Sequence, residues 1–141
     1  MDAQWKRINA VCGENEEAAF EGKFAAYYNH LIQNLELPCD VTGIEDFQWE
    51  ERYVLGAGDP AEYERLKKVR PSYRDHFELL KLERNGRSEW MLFHGDIGAR
   101  VRRKSDGKEF LLGLAELKAV KRKTRNAQLL DDFSVFFVNS R

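Results

Sequence analysis

No run of apolar residues in this chain is long enough to span a bilayer. The opening residues, MDAQWKRINAVCG, lack the long apolar core of a secretory signal. The expectation is a soluble, cytoplasmic protein. Cysteine is scarce: Cys12 and Cys39 stand far apart with no CxxC. Two free thiols are expected, with a single disulfide as the alternative. Also missing are GxGxxG, the P-loop, GxSxG and HExxH. Without these signatures an enzyme has no positive support, and a non-catalytic protein is expected.

What is present suffices for a core. The 141 residues are 43% hydrophobic, which suits one folded domain over 1–141 and excludes a disordered composition. The formal charge of −1 hides an asymmetry. Residues 1–98 carry 12 Lys and Arg against 19 Asp and Glu, a net of −7, whereas residues 99–141 carry 11 against 5, a net of +6. One part can attract a cation and the other a polyanion.

The N-terminal part, 1–37, is expected to be helical. A short helix over 2–12 stops at Gly13. A second is capped at Asn15, with an apolar stripe of Phe20, Phe24, Tyr27, Tyr28, Leu31 and Leu35. From 38 to 141 the text is mainly sheet, with a helix near 60–70. Val41 to Leu55 keeps strand parity except at Glu51. Asp59-Pro60 starts the helix. HFELLKL (76–82) and SEWMLFH (88–94) flank the hairpin signal Asn85-Gly86. ARVRRK (99–104) and EFLLGL (109–114) flank Asp106-Gly107. Phe133, Val135 and Phe137 fit a strand, while Leu129, Leu130, Phe133, Phe136 and Phe137 fit a helix; a helical turn at 126–132 is expected. The fold class is α+β: N-terminal amphipathic helices packed on a small, strongly bent antiparallel sheet or SH3-like barrel.

Two sets of charges could carry function. Asp40, Glu45, Asp46, Glu50 and Glu51 lie within twelve residues, and Asp131-Asp132 forms a second acidic pair. Hard cations such as Ca²⁺ take carboxylate and carbonyl oxygens. No EF-hand spacing is present, and on spacing alone these acids are most simply a wet strand face. Arg100, Arg102, Arg103 and Lys104 decorate one hairpin, and Lys121, Arg122 and Lys123 follow. They fit a nucleic-acid or protein partner, or a solvated face balancing the acidic part. His94-Gly-Asp96 offers a further His-x-Asp pair, able to orient a base or to supply two metal ligands.

The segments LPCDVTGIEDFQWEERYVLG, DGKEFLLGLAELKAV and NAQLLDDFSVFFVNSR resemble the small calcium-binding proteins first known from cyanobacteria, over about Phe24 to Arg141. The resemblance implies Ca²⁺ held by surface carboxylates, for buffering or signalling and without catalysis. The matching segments supply Asp40, Glu45, Asp46, Glu50, Glu51, Asp131 and Asp132 as the candidate ligands. The type member is strongly acidic, and this chain is near neutral with a basic C-terminal third.

Overall fold

The structure, a computed structural model, describes residues 2–140; Met1 and Arg141 of the expected domain lie outside them. It is an α+β fold. Helix α1 (Ala3–Cys12) is capped by Asp2, whose carboxylate accepts the Trp5 N–H, and stops at Gly13 with φ 86°. Helix α2 (Phe20–Asn34) begins five residues after Asn15. Asn15 instead closes its own turn, accepting the Glu17 N–H through its side chain. The apolar stripe behaves as its spacing requires: Phe24, Tyr27 and Leu31 are buried.

Five strands follow in the order β4-β3-β2-β1-β5. They are β1 (Cys39–Gly43), β2 (Phe77–Glu83), β3 (Gly98–Arg103), β4 (Glu109–Gly113) and β5 (Leu117–Ala119). Every neighbouring pair is antiparallel, with Val41 facing both Phe77 and Ala119, and Val101 facing both Leu79 and Phe110. The β3–β4 hairpin forms at Asp106-Gly107 as expected. A register shift between Leu79 and Lys81 bends β2. From β4 the chain reaches β5, at the opposite edge, through one 3₁₀ turn, Leu114–Glu116. Four peptide steps span at most about 14 Å, so the edges approach each other closely at this end. They are not hydrogen-bonded: the sheet is strongly bent but open, which corrects the SH3-like barrel.

Two expected strands are different. The segment Phe47–Leu55 is not extended: Gln48–Glu50 makes a 3₁₀ turn and Glu51–Val54 a short helix, α3. Helix α4 (Pro60–Leu66) then starts at Asp59, as the Asp-Pro pair requires. The segment 88–94 is a loop, so β2 pairs with β3 instead. Two of its donors are met by side chains, Trp90 N–H by Ser88 Oγ and Leu92 N–H by Glu116, and a third, Met91 N–H, by Ser88 O. Its aromatics pack on the domain, Trp90 against Phe110 and Phe93 against Phe137.

Helix α5 runs unbroken over Arg125–Ser140, and the helical spacing wins over the strand spacing. Leu130, Phe133, Phe136 and Phe137 enter the core, while Val135 stays half-buried. The rings of Phe20, Tyr27, Phe133 and Phe136 lie 4.7–6.3 Å apart in successive pairs that join α1's neighbours α2 and α5. Helices and sheet share one buried cluster.

A buried cation ties the excursion between β1 and β2 to this body. Arg103 shares its face with Ala99 and Val101 and is only 2% exposed. It donates to Lys67 O, Lys68 O and Arg70 O at 2.8–3.0 Å and to the carboxylates of Asp75 and Asp106. The carbonyls are those just past α4, where a cation also suits the helix dipole. Arg103→Met is expected to cost about 3–5 kcal/mol in urea unfolding, because three carbonyls and two acids each lose a charged donor. Arg103→Lys should recover only part of this, having no planar fork; a loss under about 1 kcal/mol for the Met variant would contradict the clamp.

Candidate functional site

The seven sequence-derived carboxylates do not gather in one place. Asp40, on β1, pairs with Lys104 at 2.8 Å. Asp131, half-buried on α5, pairs with Arg122 of the turn before that helix. Asp132 is only 5% exposed, and its oxygens accept from Arg7 Nε at 2.7 Å, Arg7 Nη2 at 3.0 Å and Gln4 Nε2 at 3.1 Å. Glu51 is exposed on α3. Glu45 and Asp46 sit on the turn that leaves β1.

Glu50 requires a correction, because it is no surface acid: its exposure is 0%. Four donors surround its carboxylate: Ser72 Oγ at 2.6 Å, Tyr63 Oη at 2.8 Å, Tyr73 N at 2.9 Å and Phe47 N at 3.3 Å. Those bonds order the excursion that α3 and α4 form. Nearby, the Tyr53 and Tyr63 rings stack at 5.0 Å with Trp49 edge-on to both. Trp49 and Tyr53 thus cluster with Tyr63 of α4 beside a buried carboxylate, while Phe47 joins the main core.

The basic hairpin is also largely neutralised. Arg100 pairs with Glu83, Arg102 with Glu78 and Glu109, Arg103 with Asp75 and Asp106, and Lys104 with Asp40. Lys121, Arg122 and Lys123 lie apart from it, on the exposed turn before α5.

A different pair of acids stands together at the end of the sheet where its edges approach. Asp96 closes the loop before β3, and Glu116 ends the 3₁₀ crossing. Asp96 is 1% exposed and accepts the N–H groups of Ile97 at 2.7 Å and Ala115 at 3.1 Å. Glu116 accepts the Leu92 N–H at 3.1 Å, and its carbonyl accepts the Ile44 N–H at 2.9 Å, beside Glu45. Both acids flank Gly113. A Cβ on that glycine would lie 2.6 Å from Asp96 Oδ2 and 2.6 Å from Glu116 Oε2. With φ −79° the glycine is there for space, not for a left-handed backbone.

Burial dominates the electrostatics. It pushes Asp96 up to about 7, against its two backbone donors, and Glu116 adds repulsion. Burial likewise pushes Glu116 up to about 7, with Glu45 adding to the rise. Among the described residues, no Lys, Arg or His forms an ion pair with Asp96, Glu116 or Glu45. The donor set is all oxygen, as hard cations require. Among the described residues no three acidic, His or Cys side chains form a ready-made metal cluster. A cation here would therefore draw on carbonyls or water besides the acids. Spacing had marked Asp96 only through His94-Gly-Asp96, and His94 is exposed while Asp96 is buried. Glu116 carried no local signal, since its partnership with Asp96 depends on the edge-to-edge crossing.

No family model matches the chain, and no curated protein matches it. A solved structure described as a calcium binding protein in the calcium-binding form is similar to it, with a TM-score of 0.57 and 12% identity. The alignment covers 99% of this chain and 92% of that one. The likeness is one of fold. No helix among the described residues is long and apolar enough to cross a membrane.

The raised acids make a signed prediction. Between about pH 4 and pH 7 the native chain holds more protons on Asp96 and Glu116 than the unfolded chain does. Stability in chelator should therefore fall as pH rises through that window. Asp106 works in the opposite direction, being held at about 2 chiefly by its hydrogen bond from Arg103, so its contribution disappears only at lower pH. Calorimetric melting from pH 5 to pH 8 should show the decline, and Asp96→Asn should flatten it. A melting temperature that climbs over this range in both proteins would refute the assignment.

Proposed function

We propose that this chain is a small, non-catalytic calcium-binding protein whose cation site is the Asp96–Glu116 pair with Glu45 beside it. The observation that carries the reading is the convergence over Gly113 of two carboxylate oxygens, one of buried Asp96 and one of half-buried Glu116, with no cationic side chain among the described residues paired to them. Two such groups cannot both ionise cheaply at neutral pH without a counter-charge. A divalent cation supplies one and displaces the protons that burial otherwise retains. Glu45 and Asp46, on the adjoining turn, keep their role as candidate ligands. Asp40, Asp131 and Asp132 are weaker candidates because each already serves a Lys or Arg. The likeness of fold to a calcium-binding structure supports the same choice of ion. Buffering or signalling is the corresponding role.

The test is a calorimetric titration of chelator-stripped protein with Ca²⁺, and with Mg²⁺ as control. Saturable Ca²⁺ binding is expected at pH 8, weakening by an order of magnitude or more near pH 5.5, where protons compete. Glu116→Gln should lower affinity about tenfold or more, and Glu45→Gln should lower it less. Glu50→Gln should lower stability while leaving affinity unchanged, since its oxygens face four internal donors. No heat at millimolar Ca²⁺, with no rise in melting temperature, would remove the reading.

A further inference from the structure

A groove lies between α1, α2 and α5, far in chemistry from the acid pair. Its floor carries an apolar strip, Ala10 and Val11 of α1, Ala26 and Tyr27 of α2, and Leu129 of α5, and Asn29, His30 and Gln33 of α2 also line the hollow of about 490 Å³. A second hollow of about 470 Å³ adjoins it, sharing Arg7, Arg125, Gln128 and Asp132, and opens on Arg122 and Lys123. The groove thus runs from an apolar floor to a cationic mouth.

The charges at that mouth are unbalanced. The two acids are already matched, Asp132 by Arg7 and Asp131 by Arg122. Lys121, Lys123 and Arg125 are exposed and stand outside the ion pairs among the described residues. With Arg122 they place four cations in five residues at the start of a 16-residue helix. Cations crowd there against one another and against the positive end of the helix dipole. That cost would be relieved by negative charge brought from outside.

We propose that this groove docks an acidic segment of a partner protein, its apolar side chains on the floor and its carboxylates at the Lys121–Arg125 turn. Helical grooves with apolar floors take amphipathic segments in this manner, and complementary charge at the rim steers them and fixes direction. Nucleic acid fits less well. Tyr27, the aromatic ring of the floor, is 1% exposed and offers no face for base stacking. The arginines of the β3–β4 hairpin, which would extend a phosphate track, are matched by acids.

The test begins with selection of short random peptides displayed on phage against the full chain. The enriched peptides then serve as labelled probes in fluorescence anisotropy. Enriched sequences should combine Asp or Glu with spaced apolar residues, and their binding should weaken steeply with salt. Lys123→Glu with Arg125→Glu should weaken binding about tenfold or more. Ala10→Trp, at an exposed position beside the floor, should do likewise by filling the groove. Lys81→Glu, at the exposed position of β2, should change nothing, and circular dichroism should confirm that each variant is folded. Failure of any peptide to enrich would overturn the proposal. So would peptides indifferent to both groove variants. Equal binding of short duplex DNA that Ala10→Trp leaves untouched would make the turn a general polyanion surface and overturn it too.

Discussion

The chain passes from one edge of its sheet to the other in the three residues Leu114–Glu116, and much of the molecule follows from that short crossing. So few residues can join the two edges only if the sheet curls until they nearly meet. The curl is prepared by the irregularity in β2 and held by hydrogen bonds at the crossing itself. Leu114 N–H goes to Ile97 O, Ala115 N–H to Asp96, and Ile44 N–H to Glu116 O. Helix α5 packs against the crossing, with Ser134 Oγ donating to Ala115 O at 2.6 Å. The same geometry brings Asp96 and Glu116 to Gly113. A barrel would have bonded β4 to β5; the open edge leaves room for the acids instead.

Charge in this protein is organised by pairing across long sequence separations. The first 98 residues are net acidic and the last 43 net basic, an asymmetry along the chain that leaves their placement in space open. In the fold they interleave, because β3 lies directly between β2 and β4. Arg102 on β3 therefore meets Glu78 on β2 and Glu109 on β4. Arg103 and Glu50 go further and become buried supports of the excursion between β1 and β2. Each is costly to bury alone, and each is surrounded by enough partners to offset that cost.

Local chemistry was legible where local chemistry decides the outcome. Asp2 and Gly13 bound α1, Asp59-Pro60 opens α4, Asp106-Gly107 turns the hairpin, and the stripe of α2 faces the core. It failed where tertiary contacts decide. The parity from Phe47 to Leu55 suits a strand, but Trp49, Tyr53 and Tyr63 pack as a ring cluster about Glu50, which needs a turn and a helix. Asn85-Gly86 suits a hairpin, but Ser88 and Glu116 hold the following segment as a loop. Of the candidate site, the turn bearing Glu45 and Asp46 was visible in a run of acids. The pair that completes it was not, since Asp96 and Glu116 are twenty residues apart in chain order and meet only through the crossing.

The near-neutral composition was the strongest objection to a cation-binding protein, and the fold changes its weight. What a cation feels is the uncompensated charge near it, screened beyond a Debye length of about 8–10 Å. The hairpin cations are matched locally, so they contribute little to the field at Gly113. The acid pair there has no Lys, Arg or His paired to it among the described residues, and burial raises its affinity for protons. A net charge of −1 is thus compatible with a local gathering of carboxylate oxygens that no cation matches among the described residues. A fold shared at 12% identity with a calcium-binding structure does not by itself bring the ligands along. The candidate oxygens of this chain lie on Asp96 before β3 and on Glu116 of the crossing, beside the turn that bears Glu45 and Asp46, so the candidate site depends on topology as much as on composition.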